Sequence, residues 1–154
     1  MSAGEKIIAT NRKATFNYEI IEKYEAGLVL LGSEVKSLRE GKANLLDAYG
    51  MVRNGEVFLY QCHINPYEKS GPYYNHDPIR PRKLLLHHQE IAKLIGKTHE
   101  KGFTLVPLKL YFKNGRAKVE LGLGRGKKTF DKRETIKKRE QDRELSKAMK
   151  KNRF

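Results

Sequence analysis

The chain has 154 residues, 38% of them hydrophobic and 32% charged, and its 32 Lys and Arg against 18 Asp and Glu give a formal net charge of +14. That length fits one domain with a modest core, and so low an apolar share leaves some segment too polar to pack. The single cysteine excludes a disulfide framework and a thiolate metal set. With no apolar run of signal-peptide or membrane-spanning length, a soluble, cytoplasmic protein is expected.

Residues 1–15 are polar and read as loose, and a β-rich body follows from about Phe16 to Gly124. The stretch SEVKSLREG predicts a short helix, capped by Ser33, stopped by Gly41, with Val35 and Leu38 facing inward. Asn54-Gly55 then separates AYGMVR from EVFLYQ, and both residues tolerate the positive φ that a type I′ hairpin turn requires. Cys62 lies in the strand-like run VFLYQCHI, where a small buried apolar role is expected. His76-Asp77-Pro78 reads as turn chemistry.

A longer helix is predicted from Pro81 to Gly96, since Leu84, His88, Ile91 and Ile95 recur at helical spacing, with Leu85 and Leu94 widening the stripe. Asn114-Gly115 marks a second hairpin. Before it Leu108, Leu110 and Phe112 alternate with polar neighbours; after it Val119, Leu121 and Leu123 do the same. Pro107 removes a ladder donor and belongs at an edge or a bulge. Antiparallel strands with a few helices and no βαβ alternation indicate a small, mainly β barrel of α+β type.

Composition changes after Gly124. Residues 125–154 hold 13 Lys and Arg against 5 Asp and Glu, a net +8 of the total, with few apolar positions. Ordering such a segment costs about 1–2 kcal/mol per residue, more than its burial returns, so a basic tail disordered in isolation is expected. Asp131 with Glu134 resembles a capping box, and Glu134 with Lys138 is a favourable i,i+4 pair, so the tail can turn helical against a polyanion.

GLGRGKK, residues 122–128, invites comparison with phosphate-binding loops. Aligned on Gly126-Lys127, a P-loop would need glycine where Leu121 stands and a hydroxyl where Lys128 stands. The dinucleotide pattern fails at Lys127, which takes the place of its third glycine. His63, His76, His87, His88 and His99 show no metal-ligand or catalytic spacing, and read as exposed or core-lining. Neither catalytic residues nor a cofactor or metal site is therefore expected. Basic residues interleaved with aromatics remain: Asn11-Arg12-Lys13, Lys36 to Lys42, Arg80 to Lys83 and Lys109 to Lys118, with Tyr18, Tyr49 and Phe112 available for stacking. Such a charge balance favours a polyanionic partner, nucleic acid or an anionic membrane surface.

Four stretches carry a family resemblance: Asn11-Arg12-Lys13-Ala14, YEAGLVLLGSEVKSLREGKANLLDAY (24–49), DPIRPRKLLLHHQEI (77–91) and GLGRGKKTFDKRE (122–134). In one collinear series over roughly residues 8 to 150, they closely resemble the SmpB family of SsrA-binding proteins, the bacterial partners of transfer-messenger RNA. The resemblance implies an OB-fold-like antiparallel β-barrel with flanking helices, an RNA-binding body over 1–124 and a tail over 125–154 that is disordered alone and helical on the ribosome.

It further implies a non-enzymatic adaptor whose body binds the tRNA-like domain of transfer-messenger RNA. The complex would enter stalled ribosomes for trans-translation, indirectly with the elongation factor that carries the aminoacylated RNA, and no membrane would be involved. The tail would probe small-subunit ribosomal RNA at the decoding centre and the empty mRNA channel. By that resemblance Asn11 and Glu25 shape the RNA-binding face, Leu85 is a second such position, and Lys36, Arg39 and Lys42 are phosphate contacts; Arg12, Lys13 and Lys118, from the basic clusters of the body, are expected to bind RNA beside them. Gly126, Lys127, Lys128, Asp131, Lys132 and Arg133 match the tail signature. Many members carry His-Asp-Tyr or His-Glu-Tyr where this chain has Phe16-Asn17-Tyr18, so that histidine's contact is not carried over, although Phe16 keeps a ring that can stack.

Overall fold

A computed structural model describes residues 5–100 and 102–126. In chain order the elements are β1 (Lys6–Thr10), α1 (Ala14–Asn17), β2 (Tyr18–Leu28), α2 (Gly32–Arg39), β3 (Ala43–Asn44), β4 (Tyr49–Arg53), β5 (Glu56–Tyr60), β6 (His63–Ile64), β7 (Arg82–Leu85), α3 (His88–His99), β8 (Phe103–Lys113) and β9 (Arg116–Gly126). A short 3-10 turn covers Glu68–Ser70.

Six strands close a ring: β4 pairs β5, β5 pairs β7, β7 pairs β2, β2 pairs β9, β9 pairs β8, and β8 returns to β4 through Gly50 and Leu105. Every pairing is antiparallel, β1 adds to β8 over residues 109–112, and β3 with β6 forms a separate two-stranded ladder. This is the small, mainly β, OB-like barrel expected.

Both hairpins follow from turn chemistry. Asn54 and Gly55 have φ of 52° and 74°, and Asn114 and Gly115 have φ of 51° and 77°, the left-handed values a type I′ turn needs. Inside the ring Leu59, Leu84, Leu105, Leu110, Val119, Leu121 and Leu123 are fully shielded. The pairing of β8 with β9 shifts register between Pro107 and Lys109, the bulge that a proline within a strand demands. The bulge also resets the alternation. Leu110 and Phe112 stay in the main core, whereas Leu108 turns to a satellite cluster with Ala14 and Val106. Neighbours pack close on Gly122 and Gly124: a Cβ at Gly122 would lie 3.1 Å from Leu108, and one at Gly124 3.1 Å from Tyr18 and Ile20.

Four expectations are corrected. The N-terminal residues are not loose from the start, because Lys6 to Thr10 gain a ladder partner in β8. The region from Pro81 to Gly96 is not one helix. Arg82–Leu85 is strand β7, taken up between β5 and β2, and α3 begins only at His88. Helix α2 is not capped by Ser33, since its N-cap is Leu31, whose N–H donates to Glu34 Oε1 at 2.7 Å. Helix α3 starts the same way, with His87 N–H donating to Glu90 Oε1 at 3.0 Å. Phe112 is core, 9% exposed, and offers no stacking face.

Ser33 does something else. Its hydroxyl lies 2.8 Å from His76 Nδ1, while His76 Nε2 faces the Ile64 carbonyl at 2.9 Å. A carbonyl only accepts, so Nε2 carries the proton and Nδ1 accepts from Ser33. His76 is thus a buried bolt between α2 and β6, and only Asp77 plays the turn role, accepting from the Ile79 N–H at 3.0 Å.

Beside it lies a fully buried ion pair, Glu34 Oε2 to Arg82 Nε at 2.6 Å, joined by Arg80 Nη2 to Glu34 Oε1 at 2.6 Å. Arg82 also donates to the carbonyls of Cys62 and Pro78. Burial pushes the Glu34 carboxyl up, but Arg80, the Leu31 N–H and Arg82 together outweigh it and leave the pKa below the usual 4.5. Cys62 is buried as expected, and that burial raises its thiol pKa to about 11.

A depressed carboxylate pKa contributes stability above the unfolded value that is lost as pH falls through the folded one. The resistance of the wild type to urea should therefore weaken as pH drops below about 4.5. Glu34→Ala, which leaves the buried Arg82 without its carboxylate, should cost about 3–5 kcal/mol at neutral pH and reduce that acid dependence.

Candidate nucleic-acid interface

The barrel distributes the sequence-predicted RNA residues over three places. The first is the β2–β9–β7 surface. Gly27 of β2 pairs with Lys118 on one side and Leu85 on the other, so these two predicted residues flank a single glycine. Leu85 is 53% exposed, although it continues the apolar run of β7, because strand alternation sends Leu84 inward and its neighbour out.

Glu25 stands on the same face of β2, one alternation before Gly27. Its Oε2 accepts from Tyr111 Oη at 2.5 Å, and Lys113 Nζ lies 3.3 Å from the same oxygen. Tyr111 belongs to β8 and pairs with Lys118, so its ring crosses strand β9 to reach Glu25. Hydrogen bonding from Tyr111 lowers the Glu25 carboxyl; partial burial opposes this, and Lys113 adds to the lowering. Burial, then Glu25, push the Tyr111 hydroxyl up, well out of the neutral range. Glu25 therefore orders this face by fixing Tyr111 and Lys113.

The second place is the connection from β1 to α1. Asn11 is half-buried and donates from Nδ2 to the Pro107 carbonyl at 3.0 Å, while its backbone N–H donates to the Leu108 carbonyl at 2.8 Å. It bolts the β1–α1 turn to the bulge of β8, and Arg12 and Lys13 beside it are exposed. Gly126 closes β9 opposite Tyr18. Lys118 and Gly126 sit eight positions apart on that strand, roughly 26 Å at 3.3 Å per residue. Pro107, which Asn11 grips, pairs with Leu121, between the two.

The third place is α2, where Lys36, Arg39 and Lys42 just beyond it are exposed. Lys36 Nζ sits 5.6 Å from the Tyr67 ring centroid, and Lys42 pairs with Glu40 at 3.4 Å.

Several basic residues of the sequence reading have internal duties instead. Arg80 and Arg82 serve Glu34, Lys83 pairs with Glu56, and Lys109 pairs with Glu5 at 3.2 Å. Of the aromatics, Tyr49 is 39% exposed and stacks on Tyr60 with centroids 5.5 Å apart. Tyr18 is half-buried against the satellite core. Tyr73 and Tyr74, 92% and 83% exposed, were passed over. Their signal is two successive tyrosines in a short loop between prolines, and Asn75 holds that loop through both backbone groups of Tyr67. Strand β9 continues to Gly126, past the Gly124 boundary drawn from composition. Lys127, Lys128, Asp131, Lys132 and Arg133 lie outside the described residues. Among the described residues no group of three His, Cys, Asp or Glu could hold a metal ion.

Comparison with known proteins agrees along most of the chain. A family model, "SmpB protein", matches residues 8–151. An SsrA-binding protein of Thermosynechococcus vestitus is 61% identical over 145 residues, covering 94% of this chain and 95% of its own. One from Geobacter sulfurreducens is 60% identical over 146 residues, covering 95% of each. A solved chain described under "tmRNA-SmpB: a journey to the center of the bacterial ribosome" superposes with a TM-score of 0.67 at 52% identity, covering 82% of this chain and 92% of that one. With the barrel, its bulge and the collinear motifs on one chain, this protein belongs to the SmpB family.

Proposed function

We infer that this protein is a non-enzymatic adaptor that binds the tRNA-like domain of transfer-messenger RNA and delivers it to stalled ribosomes for trans-translation. The observation that carries this reading is the 52% identity and shared fold with a chain described as tmRNA-SmpB in the bacterial ribosome. The physical layout supports it. Folded RNA is recognised by shape, phosphate contacts and exposed bases, which a rigid barrel with separated cationic patches can supply. The body, through Glu25, Leu85 and Lys118 on the β2–β9–β7 surface and Asn11 to Lys13 at the β1–α1 turn, holds the RNA. The α2 cations Lys36, Arg39 and Lys42 add phosphate contacts. The segment from Gly126 through Lys127, Lys128, Asp131, Lys132 and Arg133 then probes the decoding centre and the empty mRNA channel.

Two outcomes follow. A chain ending at Phe130 should bind transfer-messenger RNA in gel shift as the full chain does, yet fail to support peptide tagging on stalled ribosomes. Normal tagging by the shortened chain would remove the role given to the tail. Affinity for transfer-messenger RNA should also exceed that for an unrelated structured RNA at matched salt. It should decline linearly in log–log against salt, with a slope of roughly −0.7 to −0.9 per phosphate neutralised.

A further inference from the structure

Tyr73 and Tyr74 are the most exposed large apolar side chains among the described residues, at 92% and 83%. A tyrosine ring ordinarily spends its area in a core or an interface, so two neighbours left in water point to a partner. Their loop, between β6 and β7, is fastened along its length. At its start Ser37 Oγ donates to the Asn65 carbonyl at 2.6 Å, and the Asn65 N–H donates to the Lys42 carbonyl at 3.0 Å. At its end His76 is bolted to Ser33. Between these ties Asn75 accepts from the Tyr67 N–H at 2.9 Å and donates to the carbonyls of Tyr67 at 2.7 Å and Gly71 at 3.2 Å. Gly71, at a φ of 71°, and Pro72 then direct the chain into Tyr73. The rings are thus presented on an ordered loop, which reduces the entropy that binding has to overcome.

The same ties make the loop and α2 one unit, and the charge beside the rings is open. Lys36 Nζ lies 5.6 Å from the Tyr67 ring centroid, and Lys36, Arg39 and Lys69 are exposed with no ion-pair partner among the described residues. Open rings next to open cations suit a nucleic-acid strand, whose bases stack and whose phosphates need positive charge. An apolar protein groove would instead desolvate those cations without pairing them. The loop follows the β3–β6 ladder, which stands outside the sheet that carries the β2–β9–β7 surface given above to transfer-messenger RNA.

We propose that Tyr73 and Tyr74 stack on unpaired bases of small-subunit ribosomal RNA, with Lys36, Arg39 and Lys69 on the flanking phosphates. The proposal rests on the adaptor reading and adds to it a ribosome contact made by the body as well as the tail. Stacking tolerates any base, so the loop recognises where a base is unstacked and within reach, not which base it is.

Tyr73→Ser with Tyr74→Ser removes both rings at exposed positions and should leave the thermal midpoint unchanged. In gel shift this variant should bind transfer-messenger RNA as the wild type does. Its complex with that RNA should bind stalled ribosomes on the order of tenfold more weakly, the scale of one lost base stack. Chemical probing should find a small-subunit base that the wild-type complex protects and the variant complex leaves open. Tyr73→Phe with Tyr74→Phe should keep the affinity and the protection. Tyr73→Leu with Tyr74→Leu should lose both, because leucine retains apolar area without a flat face. Full affinity with the leucine pair would overturn the RNA contact in favour of an apolar partner. Wild-type ribosome affinity for the serine pair would overturn the site altogether, and a matching loss of transfer-messenger RNA binding would overturn its ribosomal occupant. If the wild type itself showed no preference for transfer-messenger RNA over an unrelated structured RNA, the adaptor reading would fail instead.

Discussion

The buried Glu34–Arg82 pair constrains more of the molecule than any apolar contact does. Arg82 opens strand β7, and its planar fork reaches the Glu34 carboxylate on α2, the Cys62 carbonyl after β5 and the Pro78 carbonyl in the turn before β7. One side chain therefore locks three separate segments into a single arrangement, with Arg80 closing the free side of the carboxylate. Lysine could not do this, since a single ammonium lacks the fixed fork geometry. Buried ion pairs yield little net stability over apolar replacements, so the gain here is geometric. Val35 follows Glu34 on the helix and Leu85 ends the strand that Arg82 begins, so this pair sets where α2 stands against β7.

Local chemistry was readable from sequence, and long-range satisfaction was not. Asn54-Gly55 and Asn114-Gly115 demanded one turn type whatever surrounded them, and Pro107 demanded a break in pairing. The stretch 81–96 misled because His88, Ile91 and Ile95 truly follow helical spacing, and Leu84 happens to extend it backwards. The local mark of the boundary is Glu90, whose carboxylate caps the helix at His87, and strand β7 exists because β2 and β5 would each keep an unpaired edge without it. Ser33 was an attractive cap by type, but its hydroxyl is claimed by a histidine 43 residues away. Glutamate at the third helical position was the better signal, present in both α2 and α3. The candidate RNA residues could be named from the sequence, but their grouping could not. Leu85 and Lys118 could be named but not placed either side of Gly27.

Charge alone would have overstated the RNA surface. Many body cations neutralise a specific acid: Lys93 with Glu22, Lys113 with Glu25, Lys83 with Glu56, Lys109 with Glu5, and Arg125 with Glu19. Arg12, Lys13, Lys36, Arg39, Arg116 and Lys118 have no ion-pair partner among the described residues, and they lie on the β1–α1 turn, on α2 and on β9. A polyanion therefore meets open positive charge on several elements of a rigid frame, not on one stripe.

Strand β9 is laced on both edges, to β8 over residues 116–125 and to β2 over 118–126, right up to Gly126. Whatever continues the chain beyond that residue is anchored to a rod whose hydrogen bonds lie across the direction of any pull along it. Tension on the C-terminal segment would load those bonds together, in shear, instead of peeling them one at a time. The barrel therefore acts as a mechanical anchor, and a tug on the tail moves the whole body before it frays the seam.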